Sequence, residues 1–299
     1  MARVVITPAS EDYDPTEVAI PWLVLSNAGH QVTFATPDGL RPRPDELMLT
    51  GEGLDPWAVF PPLRRLRAVG RILGADENAR RAHAKLEQEA SFSAPRRYSQ
   101  LTVRDFDALV LPGGHRAHGI RPYLEDLELR RFVAEMFDAR KPVGAICHGT
   151  VVAARAVSPS TNRSVLFGRK TTSLTWAQEK LAARIGRATR FWDPTYYRTY
   201  LEGPGDPEGY RSVQAEVTRA LASAQDYRDV ARSEPDYALK TDGRHRDSLE
   251  DARPAFVVRD GFYISARWPG DAHTFAKTVD AVIHEASAPT IHPTTSHVV

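Results

Sequence analysis

The stretch Val143-Gly144-Ala145-Ile146-Cys147-His148-Gly149-Thr150 decides how this chain is read. A short apolar run ends in the only cysteine of the protein, and Val151 to Ala156 continue as a helix. A buried strand turning sharply into a helix leaves the residue at the turn on the carboxyl edge of a sheet, facing a crevice. That is the geometry of a nucleophile elbow, with a thiol in place of the usual hydroxyl. A thiol at a helix N-terminus meets the positive end of the helix dipole, so a lowered pKa is expected of Cys147. The competing reading is a buried, inert thiol, since free cysteine is among the commonest core residues.

Working outward, Phe106 to Leu111 reads as a strand that closes on Pro112-Gly113-Gly114-His115. Glycines after a strand let backbone amides approach a ligand with no Cβ in the way, which makes this turn a candidate oxyanion hole. Leu124 to Arg140 has helical spacing, with Leu124, Leu127, Val133 and Phe137 expected on its buried face. At the start of the chain, Arg3 to Pro8 is a strand. A helix from Thr16, as N-cap, to Ala28 follows, and Gln31 to Thr36 is a second strand. Strand, helix and strand with short joins imply a right-handed parallel unit. The fold class is therefore α/β: a doubly wound, mostly parallel, flavodoxin-like sheet flanked by helices, with ligands at the carboxyl ends of its strands.

Two stretches break this rhythm. Leu40 to Leu101 is read as a helical insertion or lid, with helices over Pro61–Leu73 and Glu77–Ala90. Its arginines, Arg64, Arg65, Arg67, Arg71, Arg80 and Arg81, suit a solvated face. Phe191 to Arg253 is irregular, with the aromatics Phe191, Trp192, Tyr196, Tyr197 and Tyr200 and a helix near Val213 to Ala222. Ser164 to Thr172 reads as a hairpin and Leu174 to Ile185 as a helix. Ala255–Val258 and Phe262–Arg267 form a hairpin across Arg259-Asp260-Gly261, and Asp271 to Glu285 is the closing helix. The expected organisation is one α/β domain over 1–286, with insertions at about 40–101 and 187–253 and a flexible tail at 287–299.

The 299 residues carry a net charge of +1 and a mean hydropathy of −0.40. That balance speaks against nucleic acid or a membrane surface as partner and leaves a small-molecule substrate. One cysteine excludes an internal disulfide and a Cys-based zinc site, and it fits a reducing compartment. No apolar stretch reaches spanning length and the N-terminus enters a strand at once, so cytoplasm is the expected location. Neither a G-x-G-x-x-G nor a P-loop signature occurs, and no cofactor or metal is called for.

Pro112-Gly113-Gly114 together with Ala145-Ile146-Cys147-His148-Gly149 resembles the ThiJ/PfpI family of the class I glutamine amidotransferase-like superfamily. Glu17-Val18-Ala19-Ile20-Pro21 resembles the family's glutamate on the first helix. Gly168 to Ser173 resembles its G-R-x-x-T-S segment, and Asp260-Gly261 through Asp271 its C-terminal ending. The likeness covers roughly 2–39, 102–186 and 254–286. Within the second insertion, Tyr196-Tyr197-Arg198-Thr199-Tyr200 resembles a less characterised branch.

The resemblance implies roles by position. Cys147 would be the nucleophile, Glu17 the hydrogen-bond partner of its sulfur, and His148 the base. The amides of Gly114 and His148 would form the oxyanion hole, and the assembly would be a homodimer. An adjacent histidine reaches its neighbour's thiol only if the elbow turns both side chains into one pocket; otherwise His148 contributes an amide alone. The branches place a third, acidic group where this chain has Leu174-Thr175-Trp176 or Ile120-Arg121-Pro122. Glu179 and Glu125 are the acids nearest in sequence. His115, His118, Trp176, Tyr196 and Tyr197 are candidates for the pocket wall.

The function that follows is a cofactor-independent enzyme. Cys147 would add to the electrophilic carbon of a small molecule (a carbonyl, amide or nitrile-like group) in a hydrolase, hydratase or lyase reaction, with Glu17 and His148 moving protons. The alternative is a redox-responsive or chaperone-like protein with a sensor cysteine.

Overall fold

The computed structural model describes residues 1–288, so the tail expected at 287–299 lies almost wholly outside the described residues. The apolar runs become β1 (Arg3–Ile6), β2 (Gln31–Thr36), β3 (Arg96–Arg97), β4 (Ala108–Leu111) and β5 (Val143–Ile146). A short pair, β6 (Val157–Ser158) and β7 (Arg163–Ser164), precedes β8 (Val257–Asp260) and β9 (Tyr263–Ala266). Seven strands form one sheet in the order β3-β2-β1-β4-β5-β9-β8. All neighbours are parallel except β8 and β9, which form the expected hairpin. Val4, Val5, Ile6, Leu109, Val110, Leu111, Val143 and Ile146 are fully buried, as unbroken apolar strands of a sheet covered on both faces must be. Each such side chain contributes about 1.5–3 kcal/mol through burial.

The helices that flank the sheet begin with α1 (Pro15–Asn27), α2 (Glu46–Thr50), α3 (Gly70–Leu73), α4 (Glu77–Leu86) and α5 (Ala90–Ser93). They continue with α6 (Ala117–Glu125), α7 (Leu127–Asp138), α8 (Gly149–Arg155), α9 (Trp176–Thr189) and α10 (Val213–Ala220). The last two are α11 (Tyr237–Thr241) and α12 (Ala272–Ser287). α1 packs between α4 and α12, and α7 packs on α8. No helix among the described residues is long and apolar enough to cross a membrane.

Several local expectations are corrected. Asp14, not Thr16, caps α1: its Oδ1 accepts the Thr16 and Glu17 amides at 2.8 and 3.1 Å, and Pro15 occupies the first helical position. The helix expected over Pro61–Leu73 shrinks to a 3-10 turn at Pro61–Leu63 and the single turn α3, because two prolines and Gly70 interrupt it. Leu127 is 75% exposed rather than buried. Asp126 ends α6 and caps α7 by accepting the Leu129 amide at 2.8 Å, so Leu127 falls in a solvent-facing first turn. The hairpin expected over Ser164–Thr172 is absent. Side chains of the sheet edge take its backbone donors instead: Asp260 accepts the Lys170 amide at 2.7 Å and Ser265 the Thr172 amide at 2.9 Å.

One ion pair shapes the carboxyl edge beside β9. Arg267 and Asp271 are both buried, and the guanidinium meets the carboxylate through Nε at 3.0 Å and Nη2 at 2.8 Å. This two-point contact fixes the turn that carries Trp268 and Pro269 over the edge of the sheet.

Candidate active site

Cys147 follows β5 directly and sits at φ 55°, the left-handed region that β-carbon-bearing residues rarely enter. Two contacts hold the turn: the Cys147 amide donates to the Ala266 carbonyl at 3.1 Å, and the Thr150 hydroxyl donates to the Cys147 carbonyl at 2.7 Å. A Cβ on Gly149 would run into the Leu111 carbonyl, so glycine here lets α8 start hard against β4. The turn brings both neighbours into one site: Cys147 Sγ lies 3.4 Å from His148 Nδ1.

The far side of the imidazole is held by a residue the sequence reading missed. His148 Nε2 is 2.9 Å from Thr199 Oγ1, and the Thr199 hydroxyl donates its only proton to the His115 carbonyl at 2.7 Å. The hydroxyl therefore accepts from His148 Nε2–H, which leaves Nδ1 unprotonated and facing the thiol. Burial first, and then the neighbouring His115 and Arg155, push the His148 pKa down to about 3, so the ring is neutral. Thr199 lies in the Tyr196–Tyr200 segment singled out above, and Arg121 Nε donates to its carbonyl at 2.7 Å.

Glu17, in the first turn of α1, is fully buried under the elbow. Its Oε2 accepts the Gly113 amide at 2.8 Å, and its carboxyl is within hydrogen-bonding reach of Cys147. Oε1 has no partner among the hydrogen bonds. Burial and the nearby Asp14 push the Glu17 pKa well up, which favours the proton-bearing form. A Cβ on Gly113 would lie 2.7 Å from the His148 nitrogen and 3.0 Å from Glu17 Oε2, so only glycine fits there.

The thiol departs from the sequence expectation. Burial pushes the Cys147 pKa up, the carboxyls of Glu17 and Asp14 add to this, and the His148 amide opposes it. The helix dipole alone does not set this thiol. Cysteine, imidazole and glutamic acid rest as a neutral, proton-bearing cluster.

A cavity of about 470 Å³ opens above Cys147. Glu17, Gly114, His115 and Tyr197 line it, together with Ile72, Leu181, Arg246 and Trp268, which the sequence reading did not mark. His115 stacks on the Tyr197 ring at 4.7 Å, and burial pushes its pKa down to about 4. Three pocket candidates lie elsewhere. His118 is exposed beside Glu11 and Asp12; Tyr196 turns its hydroxyl to Asp45 at 2.6 Å; Trp176 packs under Lys180 and Arg198. Neither acid nearest in sequence meets His148. Glu125 accepts from Tyr200, and Glu179 is held by Arg198 and the Val213 amide.

Among the described residues, His30, Asp280 and His284 bring three metal-type ligand atoms together. His30 Nδ1 accepts the Ala2 amide at 3.1 Å, so its proton sits on Nε2 and is donated to Asp280 at 2.7 Å. That tautomer makes an ordinary hydrogen bond and does not suit a metal ligand.

A family model described as ThiJ/PfpI family-like matches residues 9–211. The chain belongs to this family. Among curated ThiJ/PfpI relatives, protein/nucleic acid deglycase 2 of Escherichia coli is 28% identical over 128 residues, 43% of this chain and 69% of that protein. Deglycase PfpI of Pyrococcus furiosus is 38% identical over 76 residues, 25% of this chain and 40% of that protein. Glyoxalase III of Candida albicans superposes with a TM-score of 0.56 at 16% identity, covering 94% of this chain and 96% of its own; at that identity the likeness shows the fold alone. The ThiJ/PfpI motifs stand where the sheet's carboxyl edge requires them, and both insertions add walls to the cavity above.

Proposed function

We propose that this protein is a cofactor-independent enzyme whose nucleophile is Cys147 and whose substrate is a small molecule with an electrophilic carbon. The observation that carries this reading is the line Cys147–His148–Thr199, whose thiol end meets the cavity. Its tautomer is fixed so that Nδ1 can take the thiol proton. As sulfur bonds to a carbonyl carbon, its proton passes to His148 Nδ1. The π pair moves onto oxygen, where the amides of Gly114 and His148 would stabilise it. The proton returns to that oxygen to give a hemithioacetal, or to a nitrogen leaving group if the carbon carries one. Glu17, buried under the elbow, holds the Gly113 turn. The deglycase names among the relatives support carbonyl chemistry within this class.

The sensor reading is weaker on two observations. Cys147 is only 5% exposed, and its thiol is held protonated, whereas rapid peroxide oxidation favours an exposed thiolate. The test compares wild type with Cys147→Ala on a panel of 2-oxo aldehydes, 2-oxo acids, amides and nitriles. Turnover by wild type that falls about 10³-fold or more in the variant is expected. Equal turnover by both proteins overturns the reading.

A further inference from the structure

The cavity above Cys147 has two distinct linings. One is apolar: Ile72 and Leu73 of α3 lie on one side, and Leu181, Ala182 and Ile185 of α9 on another. Positions 178, 181, 182 and 185 share one face of α9, while Glu179, Ala183 and Gly186 are buried on the other. Ile72 and Leu181 remain 43% and 47% exposed, so this apolar face is uncovered.

The second lining is polar: the carboxyls of Asp14, Glu17 and Asp242 share it with a set of donors. Arg246 Nη1, Trp268 Nε1, Gln178 Nε2 and the Tyr197 hydroxyl are buried without a hydrogen-bond partner. Three of these can only donate, and the hydroxyl can donate. Tyr197 as a whole is only 7% exposed. Buried polar groups without partners are uncommon, and these four donors, in a cavity where Glu17 Oε1 and His115 Nε2 also lack partners, call for a ligand rich in acceptors.

Arg246 makes that ligand an anion. Its Nη2 is tied to the carbonyls of Leu73 and Gly74 at 3.1 and 3.0 Å, and its plane lies 5.4 Å from the Trp268 ring, so the guanidinium is fixed in place. Its charge is felt at Asp14, Glu17 and Tyr197, which places it beside the elbow. Trp268 stands two residues after Ala266, the register partner of Ile146, the residue before Cys147. The donor set therefore adjoins the sulfur.

We propose that the substrate is an apolar organic carboxylate of the 2-oxo acid type. The carboxylate is held by Arg246 with Trp268, the adjoining carbonyl carbon faces Cys147, and an aryl or branched alkyl body lies between α3 and α9. This rests on the function proposed above and names the substrate class of that site.

The test separates binding from chemistry by using the full chain with Cys147→Ala. Calorimetric titration compares benzoylformate, its neutral methyl ester and glyoxylate, which lacks the apolar body. Benzoylformate is expected to bind about tenfold or more tightly than either. Adding Arg246→Met should bring the ratio of acid to ester affinity close to one, and Arg246→Lys should keep part of it. Because each ratio is read within one protein, loosening of the Leu73–Gly74 anchor does not imitate the effect. An ester that binds as well as the acid, a ratio that survives Arg246→Met, or no binding of benzoylformate at millimolar concentration overturns the proposal. None of these outcomes bears on Cys147 as nucleophile, which the turnover of wild type against Cys147→Ala decides by itself.

Discussion

His148 Nε2 lies 2.9 Å from the Thr199 hydroxyl, across 51 residues of chain, where related arrangements would place a carboxylate. A hydroxyl orients the ring as an acid does but adds no charge, so the imidazolium formed during attack is less stabilised and the resting ring stays neutral. Thr199→Val keeps the shape and removes the acceptor. We expect kcat to fall about 10²-fold with KM little changed, and Thr199→Ser to restore most of the rate. A Val variant with wild-type kcat, or a Ser variant as impaired as Val, contradicts the assignment.

Glu17 gives a pH dependence whose sign follows from its environment. Its pKa in the folded chain stands well above the ordinary 4.5, so above that pH the unfolded chain has released a proton that the folded chain still holds. Stability from this group is therefore lost as pH rises from about 4.5 toward the folded pKa. Glu17→Gln mimics the protonated acid and keeps an acceptor for the Gly113 amide. Its melting temperature relative to wild type should rise as pH increases from about 4.5 toward the folded pKa of Glu17. A difference that is flat or shrinks over that range contradicts a protonated Glu17.

Arg267 and Asp271 form a buried pair that neither partner can leave alone. Asp271→Ala strands a guanidinium inside the protein and should cost about 3–5 kcal/mol in urea unfolding. Replacing both, as Arg267→Met with Asp271→Leu, should cost clearly less than the single change. A single-variant cost below about 1 kcal/mol would show the pair to be solvated.

Much of this architecture was legible in the chain because it is local. The runs at Arg3–Ile6, Gln31–Thr36 and Val143–Ile146 are apolar over strand length, and they end in turn residues. Cys147 announces itself because a thiol stands where strand becomes helix. Burial of Leu127 was misjudged because periodicity continues through Asp126, while the cap that divides α6 from α7 depends on one side-chain oxygen. The 61–73 segment shows apolar spacing, but its prolines and Gly70 break the helix that would use it.

What was illegible is carried by contacts between distant parts of the chain. Thr199 becomes the partner of His148 only once the second insertion folds back over α8. Arg246 and Ile72 share a cavity although the chain between them is longer than half the protein. The Cys147 thiol was expected to be acidic from its helix position. Burial first, and then Glu17 and Asp14 from the start of the chain, reverse that.

The most direct test of a neutral Cys147–His148 pair is the pH dependence of Cys147 alkylation, followed by intact mass. The account predicts a rate that keeps rising past about 8.5, the free-thiol value, with no plateau at neutral pH. It also predicts that Glu17→Gln, a neutral stand-in for the protonated acid, leaves the profile close to wild type over the range in which Glu17 keeps its proton. A plateau already reached below about 7.5 would show a preformed thiolate and contradict the account.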